Sequence, residues 1–172
     1  MKKKLSLLII IAFLVGCVPF KEETTDNIFL IPEGFDGAIL VFYNVPKESK
    51  FKKEDGFSVI PVELKVSEAL AGTDMAVYGA AFTSESEKPG SLTVNDKYFY
   101  VNENGKRTKV KEGCASYSGG GGFSGDREGG ITYEVTYITT TGCGESFYLN
   151  GKEKHDIQHN EVSKEWNSYF GD

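Results

Sequence analysis

Ala38-Ile39-Leu40-Val41-Phe42-Tyr43-Asn44 is the stretch on which the fold turns. Six apolar or aromatic residues in a row give a strand with an apolar face on each side. A half-exposed strand alternates polar with apolar, so this one reads as a central strand covered on both faces. Upstream, Ile28-Phe29-Leu30-Ile31 reads as a short buried strand, stopped by Pro32-Glu33-Gly34. Downstream, residues 57–66 read as a strand pair or a bent strand, because Pro61 favours an edge position. Residues 75–82 supply another apolar strand.

Lys97-Tyr98-Phe99-Tyr100-Val101 and residues 106–110 flank Asn104-Gly105, a strong hairpin signal. Residues 131–140 alternate, with Ile131, Tyr133, Val135 and Tyr137 on one face and Thr132, Glu134 and Thr136 on the other. That pattern predicts a half-exposed antiparallel strand. Ser146-Phe147-Tyr148-Leu149 before Asn150-Gly151 reads as strand then turn. A helix is predicted only in the tail, between Asn160 and Gly171, where Val162, Trp166, Tyr169 and Phe170 form one stripe. The expected class is mainly β: an antiparallel β-sandwich with a short C-terminal helix.

The chain starts with a different kind of segment. Lys2-Lys3-Lys4 precede an apolar run over residues 5–15, which ends in Leu14-Val15-Gly16-Cys17. The run is too short to cross a bilayer, which takes about 20 apolar residues, but it suits a secretory signal. The residues before Cys17 match a bacterial lipobox. The expected organisation is a signal peptide over residues 1–16, a lipidated tether over 17–27 and one β-sandwich-like domain over 28–172. Two acyl chains on Cys17 would give stable anchoring on the outer face of the cytoplasmic membrane. The alternatives are a non-cleaved anchor or an ordinary signal with a chance cysteine.

Residues 1–16 carry three lysines and no acid, so their removal leaves 16 basic against 25 acidic residues and moves the formal charge from −6 to −9. Phosphate backbones repel such a surface, and no nucleic-acid partner is expected. With Cys17 assigned to lipid, Cys114 and Cys143 remain as a pair in an oxidising compartment, where a disulfide is the natural outcome. The alternative is two buried thiols.

The stretch Ile31-Pro32-Glu33-Gly34-Phe35-Asp36-Gly37, the strand ending Phe42-Tyr43-Asn44, and Tyr98-Phe99-Tyr100-Val101 running into Asn104-Gly105-Lys106-Arg107 resemble a family of small lipoproteins of Bacillus-type Gram-positive bacteria. That family carries a domain of unknown function. The resemblance covers residues 29–108 and implies a surface lipoprotein, with no activity to carry over.

Candidate sites are few. Residues 118–130 hold seven glycines, and Gly120, Gly122 and Gly125 satisfy G-x-G-x-x-G. A dinucleotide site needs a helix after that loop, whereas a strand is predicted here, so no cofactor is expected. The stretch reads as a flexible loop clipped by the disulfide, with Tyr117 and Phe123 as speculative contacts for a partner. His155 and His159, four apart, are weak metal candidates, because a helix would put them on one face. A solvated pair before the final helix is the blander reading. No catalytic constellation is legible. The expected function is a non-enzymatic binding module for a protein or a cell-envelope component. The alternatives are an envelope hydrolase using carboxylates or a His-bound metal, and a structural surface protein without a ligand.

Overall fold

The computed structural model describes residues 23–88, 93–123 and 130–171. The signal segment and Cys17 lie outside them. The strands are β1 (Asn27–Pro32), β2 (Gly37–Tyr43), β3 (Lys52–Glu54), β4 (Phe57–Pro61), β5 (Glu63–Val66), β6 (Val77–Phe82), β7 (Lys97–Val101), β8 (Arg107–Lys109), β9 (Ala115–Phe123) and β10 (Ile131–Ile138). Two helices follow, α1 (Glu145–Asn150) and α2 (Glu153–Phe170). The strands form two five-stranded sheets, β3-β4-β1-β7-β8 and β5-β6-β2-β10-β9. The class is the β-sandwich expected, but the pairing is mixed. β1 runs parallel to β4 and β7, and β2 runs parallel to β6. The chain changes sheet after β1, β2, β4, β6 and β8, so a strand can return beside an earlier one pointing the same way.

The run in β2 has two destinations. Ile39, Val41 and Tyr43 pack between the sheets against Phe29, Ile31 and Ile60. Ala38, Leu40 and Phe42 pack on the other side with Phe147 of α1 and Val162 of α2. The layers are therefore first sheet, second sheet and helix. β10 obeys the same geometry, and its polar side is not open to water: Thr136 is buried and Glu134 half-buried between the sheets.

Gln158 fastens the helix to the second sheet. Its Oε1 accepts from the Ala38 N–H at 2.6 Å, and its Nε2 donates to the Met75 and Val77 carbonyls at 2.7 and 2.8 Å. Trp166 Nε1 adds a bond to the Tyr78 hydroxyl at 3.0 Å. The helix begins at Glu153 rather than near Asn160 because its first turns bury the polar His155 and Gln158, which an apolar template passes over. Residues 146–149 are helical rather than extended. Four residues are too few to separate a period of 2 from 3.6, and Phe147 is drawn into the core from a helical turn.

The glycine-rich stretch is also different from expectation as far as it is described. Gly119–Gly122 lie within edge strand β9 rather than in a loop. Glycine is required there by Tyr133 on β10: a Cβ at Gly121 would sit 2.7 Å from its hydroxyl, and one at Gly120 would collide with its carbonyl. The Cys114–Cys143 disulfide is present, with Cα atoms 4.5 Å apart and a separation of 29 residues. It clips the β9–β10 hairpin at its base, and closing a loop of that size stabilises by about 3.5 kcal/mol in the chain-entropy picture. Thr25 and Asn27 are buried, so the fold begins inside the segment read as tether.

Candidate functional site

The first sheet sends Phe29, Ile31, Ile60, Tyr98 and Tyr100 into the core. Alternation then puts the neighbouring positions on its outer face. Register aligns Lys52 with Val59, Val59 with Ile28, and Ile28 with Lys97. The next row runs from Pro61 through Leu30 and Phe99 to Lys109, and the last from Pro32 through Val101 to Arg107. Among the described residues, no helix lies over this face. Its floor is apolar (Leu30, Val59, Phe99 and Val101 are half-buried), and its charged strand residues are Lys52, Lys97, Arg107 and Lys109 against Glu54.

The face is curled. Arg107 on edge strand β8 donates Nη1 and Nη2 to the two oxygens of Glu54 on the opposite edge strand β3, at 2.7 and 3.0 Å. A flat five-stranded sheet would hold its edges about 19 Å apart, so the edges must approach over a concave outer surface. The Lys97 ammonium closes one end by lying 3.6 Å from the Phe57 ring centroid, above the buried Ile28. Two cavities, of about 850 and 610 Å³, share Leu30 and Pro61 and together form a trough whose charged lining is Glu33, Glu48, Glu54, Glu63 and Glu103 against Lys50, Lys52, Lys53 and Arg107. The Arg107 hydrogen bonds hold the Glu54 carboxyl below its ordinary pKa, and Glu54 in turn raises that of Arg107.

A second, smaller cleft of about 150 Å³ opens between the sheets at the N-terminal end of β1, lined by Asn27, Tyr43, Lys53, Lys88 and Glu134 among others. Tyr43 donates to Glu134 Oε2 at 2.8 Å. Burial pushes the Glu134 carboxyl up, against the lowering effect of the Tyr43 bond. Tyr43 is raised by burial and by Glu134. Asp96, which accepts from Thr25 and from the Asn27 N–H, is raised by burial as well. Each ammonium has a partner on the wall: Lys53 donates to Ser58, and Lys88 to the carbonyls of Thr24 and Thr25.

The residues singled out in the sequence do not converge. Tyr117 is 41% exposed, whereas Phe123 is 5% exposed and belongs to the core under α2, so it is unavailable as a contact. Their even spacing would put both on one face, but a bulge opposite Val135/Thr136 reverses the alternation between them. His155 and His159 share a face of α2, yet they are interior groups rather than a solvated pair. His155 Nε2 lies 2.9 Å from the Ile138 carbonyl and 3.5 Å from Asp36 Oδ1, while His159 Nδ1 lies 3.2 Å from the Tyr137 hydroxyl. Among the described residues, no three His, Cys, Asp or Glu side chains are placed to hold a metal. Burial lowers the His159 pKa, with Asp156 opposing. Near His155, burial raises Asp36, but the Thr140 backbone and hydroxyl bonds outweigh it and hold the carboxyl below its ordinary value.

The trough residues were missed. One signal was legible: Arg107 and Lys109 alternate around Thr108, and Lys97 and Phe99 alternate around Tyr98, which puts each pair on one face of a strand. Their meeting with Glu54, Leu30 and Val59 depends on parallel pairings between distant strands.

Residues 23–147 match a family of unknown function, DUF6843. Among solved structures, the chain is similar to a protein named "Putative Lipoprotein from Bacillus anthracis", with 27% identity and a TM-score of 0.63, covering 87% of this chain and 99% of that one. A search of curated proteins finds no match.

Proposed function

Since this chain belongs to the DUF6843 family, whose function is unknown, its role has to be read from its own surfaces, and we propose that it is a lipid-anchored extracytoplasmic binding module. Its working surface is the curled outer face of the first sheet. Support for the anchor comes from the charged and apolar leader ending at Cys17 and from likeness to a protein named as a lipoprotein. Among the described residues, no helix is long and apolar enough to cross a membrane. Only residues 18–22 separate Cys17 from the first described residue, a reach of at most about 20 Å. The module would thus stand close to the bilayer. Cys17→Ser should move the protein from the membrane fraction to the supernatant, and retention on membranes would reject the anchor.

The observation that carries binding is a half-buried apolar sheet face (Leu30, Val59, Phe99 and Val101) with no helix over it among the described residues, beside a second sheet whose Ala38, Leu40 and Phe42 pack under the helices. A photo-crosslinking side chain at Val59 or Phe99, in the full-length protein in cells, should yield adducts. The same group at Tyr148 or Leu149, exposed on α1, should not. Adducts at α1 alone, or at none of these positions, would contradict the docking face; the latter result favours a structural protein without a ligand.

A second reading, hydrolysis by carboxylates, is favoured by Glu134, a half-buried carboxyl with a raised pKa in a cleft. Any hydrolytic activity of the purified protein that survives Glu134→Gln would end it.

A further inference from the structure

We infer that the cleft between the sheets at the start of β1 binds a free α-amino acid with a small side chain, its ammonium on Glu134 and its carboxylate on Lys53 and Lys88. This goes beyond the docking reading and does not depend on the trough. The first argument is that the cleft holds charges of both signs that do not pair with one another. The charged residues of its lining are Lys53 and Lys88 against Glu85 and Glu134. That balance favours neither an anion nor a cation, but a molecule that carries both charges and is neutral overall.

The second argument is what each charge still lacks. Glu134 is half-buried, and its Oε2 accepts from the Tyr43 hydroxyl at 2.8 Å, which fixes the carboxylate in place. Its Oε1 has no hydrogen bond or ion pair among the described residues, and it is not sealed from solvent. A carboxylate desolvated in this way is relieved by a cation brought against it. An ammonium has three hydrogens to donate and no acceptor. Lys53 gives one to Ser58 at 2.6 Å, and Lys88 gives two to the Thr24 and Thr25 carbonyls at 2.9 Å. Three N–H groups are left over, and among the described residues neither ammonium stands in an ion pair.

The third argument is placement and size. Ser58 lies opposite Asn27, and Thr25 lies two residues before it, so their bonds bring both ammoniums to the start of β1. Lys88 pulls the Glu134 carboxyl down across the cleft without bonding to it. An α-amino acid fills such a gap, since one carbon separates its two charged groups. The cleft of about 150 Å³ has the room of about five waters, which admits one small molecule rather than a polymer. Tyr43 and Phe51 supply an aromatic wall for its side chain.

Full-length lipidated protein in nanodiscs of uncharged lipid is titrated calorimetrically with L-alanine, and with propionate and ethylamine, each of which carries one of its two charges. Alanine should bind at least ten-fold more tightly than either. Glu134→Gln should weaken alanine at least ten-fold without weakening propionate, and Lys53→Gln with Lys88→Gln should weaken alanine as much without weakening ethylamine. Retained binding of the single-charge compounds shows that the cleft is still folded. Saturation with alanine should also move the titration of the Glu134 carboxyl, followed by carbon NMR, to lower pH, because a bound ammonium favours the ionised form. Alanine that binds no more tightly than propionate or ethylamine, or not at all, would overturn the inference. So would an affinity unmoved by these substitutions, or a Glu134 titration unmoved by alanine.

Discussion

In the second sheet, the outer face carries Ala38, Leu40, Phe42, Tyr133, Val135 and Tyr137, packed in one cluster with Phe147 and Val162 of the helices. In the first sheet, Leu30, Val59, Pro61, Phe99 and Val101 hold the corresponding outward positions, with no helix above them among the described residues. Both sheets share the same inner core, so neither outer face is needed to hold the sandwich halves together. The chain covers one face with its own C-terminal segment and rims the other with charged side chains of both signs. That rim keeps an apolar face tolerable in water.

Truncation should separate the two faces most strongly. Phe42 is 0% exposed, stacks with Phe82 at 5.0 Å and meets Trp166 at a tilt at 4.9 Å, so Phe42→Ala should cost about 4 kcal/mol in chemical unfolding. Val59→Ala on the first sheet should cost about 1 kcal/mol or less. Equal costs would mean that the first sheet's outer face is a structural surface in its own right.

The fastening of the covered face comes next in size. Gln158→Leu removes three bonds to the ends of β2 and β6 and leaves the buried Ala38 N–H without that partner, at a cost of about 2–3 kcal/mol. Protection of the Ala38 amide from hydrogen exchange should fall with it. Unchanged protection would show that α2 is held by its apolar stripe alone.

The smallest effect concerns the inner layer common to both sheets. Glu134 binds its proton more tightly folded than unfolded. Its penalty is therefore absent below the ordinary carboxyl pKa of 4.5 and grows as pH rises toward the folded value. Asp96 acts in the same sense and Asp36 in the opposite one. Glu134→Gln should be more stable than the parent protein at pH 7, and the difference should vanish near pH 4. A gap that widens on acidification would show that the ionised form is the one the fold favours.

Much of the scaffold was legible where one residue class carries one meaning. The unbroken apolar run of β2 announced cover on both faces, Asn104-Gly105 announced a hairpin, and the pair Cys114 and Cys143, in a chain read as exported, announced their bond. What was not legible depends on a neighbour far along the chain. Gly120 and Gly121 fit this strand because Tyr133 fills the space their side chains would need. His155 and Gln158 belong to the helix because backbone groups of β10, β2 and β6 receive them. The trough needs Leu30, Val59 and Phe99 side by side through parallel pairing, and no local pattern states which strands become neighbours.

Lysine labelling tests the central claim most directly, because both faces carry amines. Intact cells and the purified protein are treated with the same amine-reactive reagent, and each lysine is quantified by mass spectrometry. Occupancy of the first sheet's outer face predicts that Lys52, Lys97 and Lys109 react several-fold less in cells, while Lys152, Lys154 and Lys164 on the helical side react equally in both. Equal labelling of Lys52, Lys97 and Lys109 in cells and in isolation would contradict it.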